Sequence, residues 1–383
     1  MVKLSRRSAL SAAIISLTLA GLSGCNRMPD TIKIGVAQPL SGGIGALGKD
    51  LVNGVQLAVD ELNKAGFTVD GKLVTLEMVV VDDKSDPAEG KKVAQQLVDA
   101  GVVAVVGHLN SGVSIAAAPI YAEKNIAQLA ISSNPKFTEL GHPTTLRIVA
   151  NDELQARAVG SFAASQIEGT KFAVVDDGTL YGIGLANAAA EQLKGKKTVA
   201  LRKSYDNKSK DFTELADKLK ADGIQVVVST LNDFQVVGLI ENLTKINYNK
   251  QIAILGTDMI KTTDMLKHTG DVGAFYATSI VLEANEFAGG AAFLTAYQAA
   301  FKVPPAYGGH YTYDATHILA ATIKRIKSAD PAAITAALSK VDGYAPVTGS
   351  MKWTDKGEQR YGVVSVYTAR TGRWESIMRS DNW

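Results

Sequence analysis

Residues 102–112 read Val-Val-Ala-Val-Val-Gly-His-Leu-Asn-Ser-Gly, and residues 127–135 read Ala-Gln-Leu-Ala-Ile-Ser-Ser-Asn-Pro. Each opens on a short apolar run and ends on small hydroxyl and amide residues. An apolar run of this length is a strand buried on both faces, and such strands belong to parallel sheets covered by helices. Similar runs recur at 32–37, 73–81, 172–175, 226–229 and 252–255. Between them lies helical spacing, as in Leu51, Val55, Ala58, Val59 and Leu62. Asp86-Pro87-Ala88-Glu89 reads as a helix start, with Asp as N-cap, Pro in the first turn and Glu closing a capping box. Asp330 opens a helix over 331–338 in the same way, and beyond it strands at 347–351, 361–367 and 373–377 follow without helices. The pattern predicts an α/β fold of two doubly wound parallel-sheet lobes. No Pro- or Ser-rich linker marks one boundary, so the chain is expected to cross between lobes more than once.

The 383 residues carry 40 basic and 38 acidic side chains, a net +2. Lys3, Arg6 and Arg7 account for that excess, and no charge asymmetry points to nucleic acid. The first 24 residues read as a signal peptide: those three cations precede an apolar stretch, 9–21, about 20 Å long as a helix and too short to cross a bilayer. Leu22-Ser23-Gly24-Cys25 resembles the bacterial lipobox, and the chain's one cysteine stands where a lipid would be attached. Arg6-Arg7 after Ser5 hints at twin-arginine export, though Ala9 replaces the expected aromatic. Either route places the mature chain outside the cytoplasm, in the periplasm, with a lipid anchor as its one link to the membrane. A lone cysteine excludes an internal disulfide framework and a cysteine-based zinc site.

Two motifs point elsewhere and are outweighed by their context. Gly43-Ile44-Gly45-Ala46-Leu47-Gly48 has the form of a dinucleotide loop, but five residues separate it from its strand. The strand-end acids Asp82 and Asp83 also lie too far beyond it to hold a ribose. No cofactor is expected. His310, Asp314 and His317 share a helical face, yet no second cluster completes a coordination sphere, so no metal is expected. No nucleophile elbow, zincin helix or Walker loop is present, and no enzymatic activity is expected.

What remains lies at strand carboxyl ends, where open α/β sheets bind ligands. Ser111 and Ser133 offer hydroxyls at helix starts, a setting for a carboxylate, while Asp258 facing them would hold an ammonium group. Taken in order, six segments resemble the type I periplasmic solute-binding proteins of branched-chain amino acid (Leu/Ile/Val-binding) ABC transporters. They are 34–42, 82–87, 107–112, 133–135, 181–184 and 313–315, and the likeness spans about 32–374.

The resemblance implies two lobes joined by a three-stranded hinge, the first from 31–151 plus 283–345 and the second from 152–282 plus 346–383. It implies a monomer that closes on an amino acid or related solute and delivers it to an ABC permease at the inner membrane. Ser111, Ser133 and the backbone at Ile131 would meet the ligand's carboxylate and amino group, Tyr181 would cover it, and Asp258 would take the ammonium. Leu47 falls where relatives often place an aromatic, and Asn232 where another tyrosine is common. Ser85 and Asn110 occupy the positions of a disulfide found in some relatives. A pocket this polar suits other amino acids, amides, urea or aromatic acids as well as leucine. A ligand sensor of the same fold is the alternative to a transport component.

Overall fold

The computed structural model describes residues 28–380, so the leader and Cys25 lie outside the described residues. The chain starts with β1 (Thr31–Gln38), α1 (Gly45–Lys64), the ribbon β2 (Thr68–Val69) and β3 (Lys72–Leu73), then β4 (Thr75–Asp82). Next come α2 (Pro87–Asp99), β5 (Ala104–Gly107), α3 (Ser111–Glu123), β6 (Ala127–Ala130), α4 (Lys136–Glu139) and β7 (Thr145–Arg147). These strands form an all-parallel sheet in the order β4-β1-β5-β6-β7. Alternate side chains enter separate cores: Ile34, Val36, Ala104 and Val106 on one face, Ala37 and Val105 on the other. That two-sided burial is why the strands read as unbroken apolar runs.

The second sheet takes α5 (Asp152–Gln166), β8 (Lys171–Asp176), α6 (Leu180–Leu193), β9 (Thr198–Ser204), α7 (Thr213–Ala221), β10 (Val226–Thr230), α8 (Asp233–Lys245), β11 (Ala253–Gly256) and β12 (Ala274–Ser279). Then α9 (Gly290–Phe301), α10 (Gly309–Ile326) and α11 (Pro331–Leu338) return to the first sheet, where α10 packs along α1. The hairpin β13 (Asp342–Ala345) and β14 (Gly349–Lys352) follows. Finally β15 (Ser365–Arg370) and β16 (Arg373–Arg379) add an antiparallel edge to the second sheet, ordered β16-β15-β12-β11-β10-β8-β9. The chain therefore passes between sheets three times, near 148–152, 279–284 and 360–365.

Several expectations are revised by local packing. Asp86 caps α2, accepting from the Ala88 and Glu89 amides at 2.8 Å, but Glu89 closes no capping box. It lies instead 3.6 Å from Lys84 and 3.3 Å from Lys92. The segment after 345, expected in the second lobe from 346, packs instead on the first lobe as part of a separate two-stranded sheet. Asp314 accepts the Val347 and Thr348 amides at 2.8 Å each, and the Trp353 indole donates to the Arg147 carbonyl at 2.7 Å. Met351 and Trp353 are thereby buried, which holds the hairpin on this lobe until the last crossing. The face His310-Asp314-His317 is split among three tasks. His310 lies among the Phe287, Phe293 and Tyr311 rings, and burial pushes its pKa down to about 3. His317 lies against the Tyr313 ring at a tilt of 56°, and Asp314 serves the hairpin. Among the described residues no His, Cys, Asp and Glu side chains group as a metal would require, and no helix is long and apolar enough to cross a membrane.

Candidate functional site

The carboxyl ends of β5 and β6 face those of β8 and β11 across the gap between the sheets. The lobes touch there. The Asn134 amide donates to the Leu180 carbonyl at 3.1 Å, and a Cβ placed on Gly43 would meet the Phe234 ring at 2.6 Å. A small cavity of about 20 Å³ remains between them, lined from the first lobe by Ser111, Ile131, Ser133 and Tyr307. Tyr181, Asn232 and Asp258 line it from the second. Toward solvent it gives way to a 330 Å³ cleft that shares Asn110, Ser111, Asp177, Thr179 and Tyr181.

Each of these side chains is placed by the element before it. Ser111 opens α3, whose first turn carries no side-chain cap, so its amides and dipole point at the cavity. The Ser111 hydroxyl accepts from the Asn134 amide at 3.3 Å, tying the two serine loops together. Behind them, buried His108 lies 2.7 Å from Asp83 and 3.2 Å from the Tyr121 hydroxyl, and its carbonyl accepts the Ser132 hydroxyl at 3.0 Å. Tyr181 lies in the first turn of α6, which Thr179 caps by accepting from the Gly182 amide at 3.0 Å.

Asp258 follows β11 in a single 3-10 turn and is buried. Its Oδ1 accepts from the Gln155 amide at 2.8 Å and the Tyr181 hydroxyl at 3.0 Å, and its Oδ2 from the Tyr307 hydroxyl at 2.8 Å. Burial, then the nearby Asp258 charge, push both tyrosines well above their ordinary pKa, so they act as neutral donors. Asp177 is also raised by burial, although the Thr179 hydroxyl and amide bond to it at 2.6 and 3.0 Å. Asn232 caps α8 and reaches Asp177 at 3.4 Å.

Six of the seven expected positions thus border one cavity. Leu47 does not: it is buried in the first lobe's apolar core, because α1 turns that face toward the sheet. The structure also adds residues that the sequence did not single out. Tyr307 enters from the loop before α10, where Asp50 accepts the Tyr307 and Gly309 amides at 2.9 and 2.8 Å. Gln155 and Asp152, from the first turn of α5, lie behind the lining, where Gln155 holds Asp258 and Asp152 adjoins Ser133. Asp152 is wholly buried, and burial pushes its pKa up to about 7, with the Ser133 hydroxyl and Arg147 opposing the rise and Asp258 adding to it.

The profile of the periplasmic binding protein family matches residues 31–373. A Leu/Ile/Val-binding protein homolog 1 of Brucella abortus is 28% identical over 346 residues, covering 90% of each chain. Among solved structures, a leucine-binding protein from Thermotoga maritima superposes with a TM-score of 0.81 at 22% identity, over 92% of this chain and all of the other. A solute-binding protein of an ABC transporter from Rhodopseudomonas palustris, in complex with 3,4-dihydroxybenzoic acid, gives a TM-score of 0.80 at 20% identity, over 92% and 97% of the two chains. One parallel and one mainly parallel sheet, three crossings and a polar cavity where the lobes meet agree with that match along nearly the whole described chain, which belongs to the periplasmic binding protein family.

Proposed function

We propose that this protein captures an amino acid between its lobes and delivers it to the permease of an ABC importer, without catalysis. One observation carries the reading: an anionic pole at Asp258 faces hydroxyl and amide donors at Ser111 and Ser133 across one buried cavity. That polarity matches a zwitterion, whose ammonium needs a carboxylate and whose carboxylate needs donors at a helix start. Ile131, Tyr181 and Asn232 would complete the contacts, and Tyr307 would join them. The names of the Brucella and Thermotoga relatives support leucine, isoleucine and valine as first candidates.

Binding works by lobe closure. Contacts from both lobes exist together only when the cleft is shut, so a ligand shifts the population toward that state. The first lobe would run from 31 to 151 and from 283 through the β13–β14 hairpin, the second from 152 to 282 with the terminal edge strands. The protein would act as a periplasmic monomer, tethered through a lipid on Cys25.

A thermal-shift panel on ligand-stripped protein tests the assignment. A ligand at a hundred times its dissociation constant adds about 2.7 kcal/mol to the folded state and raises the midpoint by a few degrees. Leucine, isoleucine or valine are expected to do so while acidic amino acids do not. The polar lining and the Rhodopseudomonas relative favour aromatic acids as the second class. A shift with benzoates or amides and none with amino acids overturns the amino-acid reading and keeps the binding role.

A further inference from the structure

Behind the cavity lining, beside both Ser133 and Asp258, the protein holds more negative charge than its hydrogen bonds require. Asp152 stands at the start of α5, its amide donating to the Ser133 carbonyl at 2.9 Å, so it sits directly behind the serine expected to meet the ligand. Its carboxylate is sealed from solvent; the Ser133 hydroxyl lies beside it, but neither oxygen is bonded in full hydrogen-bonding geometry. One turn further along α5, the Gln155 amide oxygen is also buried without a partner, because its nitrogen serves Asp258 at 2.8 Å. The unsatisfied atoms are therefore all acceptors, beside a second carboxylate.

The charges around Asp152 do not balance it. Arg147, from β7, is the cation facing it, and Glu358 holds that guanidinium at 3.0 and 3.1 Å. The Asn134 carbonyl accepts at 3.0 Å from the same Nη2 that meets Glu358. Asp258 faces Asp152 from the turn after β11, Tyr181 from α6 and Tyr307 from the loop before α10, and both tyrosines stay neutral. Asp152, Asp258, Glu358 and Arg147 together would carry two uncompensated negative charges, and of the four only Glu358 is partly exposed. A buried group in that position takes up a proton instead.

We propose that Asp152 is the second anion of the amine pole, protonated in the empty protein and ionised when a cationic amine enters, so that ligand capture releases one proton. The step breaks only the carboxyl O–H bond. The proton goes to solvent, the ammonium keeps its own three, and the carboxylate left behind becomes its counter-ion. The inference rests on the amino-acid reading above and adds to it a coupling between capture and pH.

The sign follows from linkage. Burial raises the Asp152 pKa to about 7 in the empty protein, and an adjacent ammonium lowers it. Affinity is therefore full above neutrality and falls about tenfold per pH unit below it, since ionisation must then accompany binding. Neither end of an amino acid titrates in that window, so the ligand contributes no slope of its own.

The purified protein is titrated calorimetrically with each of the twenty L-amino acids at about pH 6.5. Each binder is measured in two buffers of different ionisation enthalpy. Release approaching one proton, with affinity rising from acid to neutral pH, is the expected result. Asp152→Asn should bind more weakly at pH 8, release no proton and lose the pH slope, which a purely structural residue would not control. Its melting point without ligand should rise at pH 8, because an ionised, unpaired buried carboxylate has been removed. If that variant does not fold, a carboxyl-carbon NMR titration of the wild-type protein decides: one carboxyl should titrate near neutrality and ionise on adding the amino acid. Binding without proton release overturns the inference and leaves the amino-acid reading standing. No binding by any amino acid overturns both.

Discussion

At the scale of single residues, Asp258 is held by three donors from three separate parts of the chain, Gln155, Tyr181 and Tyr307. A carboxylate so fixed has a defined direction before any ligand arrives, which lowers the ordering cost of binding. Tyr307→Phe removes one charge-assisted hydrogen bond, worth about 1.5–3 kcal/mol, and is expected to weaken binding by roughly 10–100-fold. Asp258→Asn, which removes the charge itself, should cost at least as much. Calorimetry on both variants checks this, and unchanged affinity in Asp258→Asn would show that the ammonium is held elsewhere. Ser111, Ser133, Tyr181 and Asp258 were legible in the sequence because each follows a recognisable strand, and sheets of this kind present ligands there. Asp152 and Tyr307 were not. An acid at a helix start is the ordinary companion of the helix dipole, and Tyr307 owes its place to Asp50, more than 250 residues earlier. Leu47, expected at the site from the resemblance alone, lies instead in the apolar core, because the face of α1 that carries it packs on the sheet.

Among the elements, strands with apolar side chains on both faces identify themselves, and β1, β5, β6, β8, β10 and β11 all lie where their composition put them. Helix starts were equally legible. Asp86 and Asp330 cap α2 and α11 through amides at 2.8 Å, as Asp-Pro at a helix entrance implies. Asp86→Ala is expected to destabilise the protein by about 1 kcal/mol, seen as a lowered midpoint in urea with an unchanged slope. A midpoint that does not move would mean that Glu89 and its lysines hold the first turn unaided. The hairpin β13–β14 shows where such reading stops. Short strands of mixed polarity carry little information about which lobe they pack on. Its allegiance is decided by the Asp314 carboxylate, the Trp353 indole and Arg147, all contacts distant in sequence.

The whole molecule is the scale at which function resides, since the cavity exists only while the lobes touch. Gly112 of α3 and Leu180 of α6 meet across the cleft, and a Cβ on the glycine would lie 3.7 Å from the leucine side chain's own Cβ. That separation falls within the range of a relaxed disulfide. Gly112→Cys combined with Leu180→Cys should therefore cross-link on oxidation, trapping bound ligand and slowing its release until a reductant is added. Release at the wild-type rate from the oxidised form would mean that ligand leaves without the lobes parting. The three crossings have another consequence, in the order of synthesis. Helix α1 packs on α10, so the first lobe is begun by β1 and α1 and cannot be finished until α10 and the β13–β14 hairpin have been made. The strands β8 to β12, by contrast, emerge as one uninterrupted block between those two helices. Neither lobe can be excised as a contiguous fragment, and a nascent chain halted midway carries a half-built first lobe with its apolar face uncovered. For an exported protein, that makes the interval between the emergence of α1 and of α10 the period of greatest exposure to proteases and aggregation.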